Sequence, residues 1–279
     1  MSRPVRIEFP GASYHVTSRC SDDKQVFVDD KDRAAFLKVL SMVVARFNWV
    51  LHTYTMHDQH YQLVLEVPSA NLSRGMRQLN GVYTQHYNRR HGDQGSLFQG
   101  RFKSVLFEPE TFLVAICRHV VSQPLRENPP QRLASYKWSS HRAMCGTVKA
   151  PEFLCTETLL SRFGRRKAVA QRKYKDHVMA GENDASPLSL RSSQVLLGSS
   201  DFVAEMEQRL SGEKTAKRGP RRAGRRRSLN TLFRGVDTKT RAERNEMILR
   251  AHLDHAYTLM EIGDHLGIHY TTVSKVVNR

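Results

Sequence analysis

Fourteen residues near the carboxyl end constrain the folding of this chain more than any other stretch. From Lys214 to Arg227, eight of the fourteen are Lys or Arg, and Gly219, Pro220 and Gly224 interrupt them. Like charges repel, and no apolar periodicity offsets the repulsion. The tract is therefore predicted to be a flexible basic linker rather than part of a core. In a chain of 279 residues this leaves one sizeable core ahead of the tract and a small unit behind it. The predicted boundaries are 1–130 for a first domain, 131–210 for a helical extension packed on it, 211–230 for the linker and 231–279 for a carboxyl-terminal domain.

The first domain alternates two periodicities. Tyr14, Val16 and Ser18 share one face of a strand. Arg33 to Phe47 carries Phe36, Leu37, Leu40, Val43, Val44 and Phe47 at helical spacing. Trp49 to Met56 reads as a strand, His57-Asp58-Gln59 as a turn, and Tyr61 to Val67 as a second strand ended by Pro68. Asn71 is placed to cap a helix reaching about Arg90, with Leu72, Met76, Leu79, Val82, Tyr83 and Tyr87 on its apolar side. A glycine-containing loop leads to the strand Phe102 to Phe107. A last helix runs from Glu110 to about Ser122 and ends near Pro124. This order predicts an α+β fold, with helices layered on a small, mostly antiparallel sheet.

Charge restricts the partners. Against 44 Lys and Arg stand 27 Asp and Glu, a net charge of +17. That balance favours a polyanion. No apolar run is long enough to span a membrane, and no hydrophobic block follows the basic amino terminus, so a cytoplasmic, nucleoid-associated protein is expected. Cys20, Cys117, Cys145 and Cys155 contain no Cys-x-x-Cys pair, so neither a zinc knuckle nor a disulfide framework is expected.

The carboxyl-terminal domain has its own signature. Thr258 followed by Glu261 is a capping-box pattern, and Leu259, Ile262 and Leu266 form an apolar face. Gly267 suits the left-handed residue that ends such a helix. A second helix starts near Tyr270, with Val273, Val276 and Val277 inward. Two short helices so spaced predict a helix-turn-helix that offers Tyr270, Thr271, Thr272, Ser274, Lys275 and Asn278 to the major groove of duplex DNA. Arg225, Arg226 and Arg227 of the linker are placed to meet phosphates.

In the first domain, His60 and Gln62 lie two apart on a strand and so project together, while Tyr61 points away. An imidazole and a carboxamide oxygen could hold one side of a divalent ion, or simply pack. The stretches Phe9 to Arg19, Met56 to Val67, Asn71 to Asn80 and Leu97 to Lys103 resemble the single-tyrosine HUH transposases, in particular the REP-associated group of the insertion-sequence family. The resemblance covers roughly Arg3 to Tyr136. It implies a ferredoxin-like sheet with packed helices. It also implies Mg²⁺ or Mn²⁺ held by two histidines flanking an apolar residue. A helix-borne tyrosine would attack single-stranded DNA and leave a 5′-phosphotyrosine and a 3′-hydroxyl. Hairpin or single-stranded DNA is the implied partner, and Arg74, Arg77, Arg89, Arg90, Arg101 and Lys103 supply basic surface.

Residue by residue, the sequence departs from that pattern. His60 matches the first metal histidine, but Gln62 stands at the second. The segment that carries the tyrosine reads Arg118-His119-Val120-Val121-Ser122-Gln123-Pro124-Leu125-Arg126, which puts His119 at the nucleophile position. Gln123 is a candidate third ligand. Gln62 weakens the metal site, so a metal is expected to be weakly bound or absent, and imidazole attack on phosphorus gives a labile phosphoramidate, so strand transfer is expected to be absent or much reduced. The expected function is that of a DNA-binding protein derived from a transposase. The alternative is an active divalent-metal-dependent transposase or endonuclease.

Overall fold

The structure is a computed structural model that describes residues 7–21, 24–127, 133–181, 185–216, 227–255 and 257–277. It divides into two compact units, residues 1–207 and 208–279.

The first unit is α+β. Strands β1 (Ala12–Arg19), β2 (Val50–Met56), β3 (His60–Val67), β4 (Lys103–Phe107) and β5 (Leu196–Leu197) form one sheet in the order β2-β3-β1-β4-β5. The first four pair antiparallel. The short β5 joins the edge of β4 in parallel, within a region predicted to be wholly helical.

Helices α1 (Asp30–Phe47) and α2 (Leu72–His91) lie together on one face of the sheet. Alternation along the strands chooses that face. Tyr14, Val16, Tyr61, Leu63 and Leu65 are buried there, and the Phe36 ring lies 4.5 Å from Tyr61 and 5.2 Å edge-on to Tyr83. Such ring pairs add to what their burial contributes. The predicted cap of α2 works differently from expectation: Asn71 makes no side-chain cap bond. Its carboxamide accepts from Trp49 Nε1 at 2.8 Å and donates to the Phe47 carbonyl at 3.0 Å, tying the end of α1 to the start of α2.

Trp49 then lies across Gly75. A Cβ added there would sit 2.1 Å from the indole. Since the buried indole is also held by Asn71, Gly75→Ala is expected to cost about 1–3 kcal/mol. Urea unfolding of the variant beside wild type measures this, and an unchanged midpoint would refute the close packing.

Beyond β4, helix α3 (Pro109–Glu127) packs against β2 and β3. It does not stop at Pro124 as predicted but continues through it, so Gln123 is helical. The short helices α4 (His141–Met144) and α5 (Glu157–Leu160) and the longer α6 (Lys167–Ala180) follow, then a 3₁₀ turn at Pro187–Leu190 and helix α7 (Ser200–Ala216). The stretch before α4 runs beside β2, where Met56 N–H donates to the Trp138 carbonyl and Ser140 N–H to that of Tyr54. The four cysteines form no disulfide. Among the described residues no helix is long and apolar enough to cross a membrane.

The second unit is helical: α8 (Leu229–Leu232), α9 (Arg241–Leu253), α10 (Leu259–Leu266) and α11 (Tyr270–Val277). Both the Thr258–Glu261 and the Thr240–Glu243 capping boxes are formed, and Gly267 takes the left-handed conformation. Phe233, Ile248, Ala251, Tyr257, Ile262 and Val273 make the core.

Candidate active site

The β1–β3 register assembles the site. Thr17 pairs with Gln62 and Arg19 with His60, so His15 lies diagonally across from Gln62 on the face turned away from α1 and α2. Nε2 of His15 sits 2.7 Å from Oε1 of Gln62. A carboxamide oxygen only accepts, so His15 donates. Burial lowers the His15 pKa to about 4; the Gln62 bond opposes this and the nearby Arg191 charge adds to it. At neutral pH His15 is uncharged, with its proton directed at Gln62.

That bond decides what Gln62 offers its other neighbour. The Gln62 amide nitrogen stands 3.4 Å from His60 Nε2, so the amide donates and the imidazole accepts. His60 in turn stacks on His57, with ring centroids 4.5 Å apart and planes 6° from parallel. Tyr136 closes this end of the β2–β3 hairpin. Its hydroxyl donates to the Met56 carbonyl, and its ring centre lies 6.3 Å from that of His57.

The sequence offers His60 and Gln62 as one side of a divalent-ion site or as packing residues, with Gln123 a candidate third ligand, and the family resemblance implies a metal on two histidines, of which His60 is the one present. The Gln62 side-chain oxygen accepts from His15 with one of its two lone pairs, and the amide nitrogen faces the imidazole lone pair that a cation would take, so an ion at His60 would require the Gln62 carboxamide to turn. Among the described residues no group of three or more His, Cys, Asp or Glu side chains is placed to hold a metal.

His119 is half-buried on α3, and its Nε2 faces the Ser186 hydroxyl at 3.4 Å. Ser186 also caps the 3₁₀ turn at Pro187–Leu190. That turn packs on α3, and Arg191, which follows it, is near enough to His15 to influence its titration. A segment about sixty residues beyond α3 thus lines this face of the sheet. Sequence reasoning missed it, along with His15, Arg191 and Tyr136. Only the alternation in β1, which put His15 opposite Tyr14, carried a signal.

Three tyrosines on the opposite face are closed to this chemistry. Tyr14 donates to the Ile7 carbonyl at 2.6 Å, Tyr83 to that of Val26 at 2.6 Å, and Tyr61 to the Asn80 side chain. Burial raises the pKa of Tyr61 and Tyr83 far above the ordinary phenol value, and for Tyr83 the Asp32 charge adds to it.

Of the predicted basic surface, Arg74 and Arg77 are exposed one turn apart on α2, and Arg89, Arg101 and Lys103 are exposed as well. Arg90 is engaged internally. It pairs with Asp29 and with the fully buried Asp32, which also accepts from His91 Nε2 at 3.0 Å. In the second unit Tyr270, Thr271 and Thr272 are exposed and Ser274 is half-buried. The Thr271 hydroxyl is 2.8 Å from His269 Nδ1. Arg227 contributes its carbonyl to the Tyr257 hydroxyl at 3.0 Å. Arg225, Arg226 and Asn278, and the side chain of Lys275, lie outside the described residues.

Residues 9–123 match the family model described as "Transposase IS200 like". A solved structure of a REP-associated tyrosine transposase bound to a REP hairpin is similar at 14% identity, with a TM-score of 0.43, covering 50% of this chain and 82% of that one. No curated protein matches the chain.

Proposed function

We propose that this chain, whose residues 9–123 belong to the IS200-like transposase family, is a DNA-binding protein built on that domain and lacking efficient strand transfer. The observation that carries the reading is His119. It stands where the family resemblance requires the tyrosine, and the buried Tyr14, Tyr61 and Tyr83 have their hydroxyls bonded inward. Histidine could attack a phosphodiester only to give a phosphoramidate, which hydrolyses instead of passing the strand on. Gln62, held by His15, favours DNA binding without a divalent ion.

The partners follow from the two units. Hairpin or single-stranded DNA is assigned to the first unit, through Arg74, Arg77, Arg89, Arg101 and Lys103. Duplex DNA is assigned to the second, where α10 and α11 act as a helix-turn-helix with Tyr270, Thr271, Thr272 and Ser274 toward the major groove. Two tethered modules raise each other's effective concentration, which suits a regulatory protein better than a single weak site.

Titration of a fluorescent hairpin-bearing single strand tests the assignment. Wild type is expected to bind in EDTA, with affinity falling steeply as salt rises. Arg74→Ala with Arg77→Ala is expected to make the log–log salt dependence shallower by about 0.7 for each cation removed. Binding that requires Mg²⁺, or a double variant with the wild-type slope, would contradict it.

A further inference from the structure

A pocket in the second unit lies between the start of α9 and the turn that joins α10 to α11. Val236, Leu266 and Ile268 give it an apolar floor, and Asp237, Lys239, Arg241 and Arg244 surround it. Three cations against Asp237 and the adjacent Glu243 leave it net positive. Lys239 reaches Glu243 at 3.3 Å, an exposed pair one helical turn apart. Arg244 differs: its Nε is buried and has no hydrogen-bond partner among the described residues. A desolvated guanidinium N–H left unsatisfied is costly, and an acceptor brought into the pocket would relieve it. Lys239 and Arg241 flank Thr240, the cap of a helix of thirteen residues whose amino-terminal dipole also favours negative charge.

The position narrows the ligand. Leu266 closes α10 and Ile268 belongs to the turn before α11, so the pocket adjoins the amino-terminal end of the helix assigned to the groove. Gly263 keeps this junction tight, since a Cβ there would lie 2.7 Å from the Ile268 carbonyl oxygen. The pocket is therefore fixed relative to α11. We infer that it holds a backbone phosphate of duplex DNA beside the groove that α11 enters, with Arg241 and Arg244 as the principal contacts. The inference rests on the reading of this unit as a duplex-binding module and adds a site that neither the linker arginines nor α11 supplies. A phosphate contact of this kind sets the register of α11 without reading sequence.

The test uses the full chain and two unrelated duplexes, titrated between 50 and 200 mM salt. Arg241→Ala with Arg244→Gln is expected to weaken binding to both duplexes equally, roughly tenfold near 0.1 M salt, and to lower the salt slope by about 0.9 for each phosphate no longer neutralised. Arg250→Ala, at the other end of α9 and paired with Glu246, is expected to leave both unchanged. Circular dichroism melting shows whether the double variant is folded. Should it not be, Arg241→Glu alone, at an exposed position, replaces it and is expected to weaken binding further. A folded variant with wild-type affinity and slope overturns the phosphate site while leaving duplex binding intact. Losses matched by Arg250→Ala overturn it in favour of diffuse charge. A wild type that binds hairpin DNA but no duplex removes the duplex-binding reading, and the site with it.

Discussion

Acidification from pH 7.5 to pH 5 is expected to strip about 4 kcal/mol from the first unit through two histidines alone. His52 and His141 are 1% and 3% exposed. Burial lowers the pKa of each to about 4, and for His141 the Lys175 charge adds to this. In the unfolded chain an imidazole titrates near 6.5. Between the two values the unfolded state binds more protons, so stability is complete above about pH 6.5 and falls as pH drops toward 4. The loss is about 2 kcal/mol for each histidine by pH 5 and about 3 by pH 4. His52 has an extra reason to resist protonation, because its Nδ1 is buried with no partner among the described residues. His141 lies against Cys145, with Nε2 3.5 Å from the sulfur, and its ring centre is 5.8 Å from that of Tyr174. Urea unfolding at the two pH values measures the slope. His52→Leu and His141→Leu are each expected to flatten it by about 2 kcal/mol. Equal slopes in wild type and both variants would show that neither ring is neutral in the folded state.

Legibility in the sequence followed the range of the forces involved. The helices α1 and α2 and the strands β1 to β3 announce themselves because one face of each is apolar at the right period. The capping boxes of the second unit are equally local, three residues from donor to acceptor. The two-residue strand β5 carries no such pattern. Leu196 and Leu197 become a strand only because the edge of β4 offers hydrogen bonds, with Leu106 N–H donating to the Val195 carbonyl. Helix α3 continues through Pro124 because its packing on β2 and β3 outweighs the missing backbone bond, which a local rule cannot anticipate.

The site divides the same way. The two-residue spacing put His60 and Gln62 on one face, and the structure brings them within 3.4 Å. His15 lies 47 residues from Gln62, and only the β1–β3 register joins them. Once joined, they change the meaning of Gln62, from a candidate oxygen ligand to an amide donor. Arg90 likewise read as surface charge for DNA until the fold set it against Asp29 and the buried Asp32. Burial alone would raise the Asp32 carboxyl, but the bonds from His91, Arg90 and the Val28 N–H hold it below the usual carboxylate range.

The covalent step carries a larger expected effect still. Removing a nucleophile from such a centre lowers turnover by roughly 10³ to 10⁶. His119 faces Ser186 from α3, and Tyr14, Tyr61 and Tyr83 are bonded inward. Tyr136 is the half-buried tyrosine beside His57 and His60, and its hydroxyl is committed to the Met56 carbonyl. The most direct measurement incubates the full chain with end-labelled hairpin-bearing single-stranded DNA and Mn²⁺, then resolves it on a denaturing protein gel beside His60→Ala, His119→Tyr and Tyr136→Phe. Wild type is expected to retain the DNA in a native gel but to show no labelled protein band under denaturation. A labelled wild-type band that disappears in His60→Ala and Tyr136→Phe would contradict it, and would make this chain an active single-strand transposase with its tyrosine relocated.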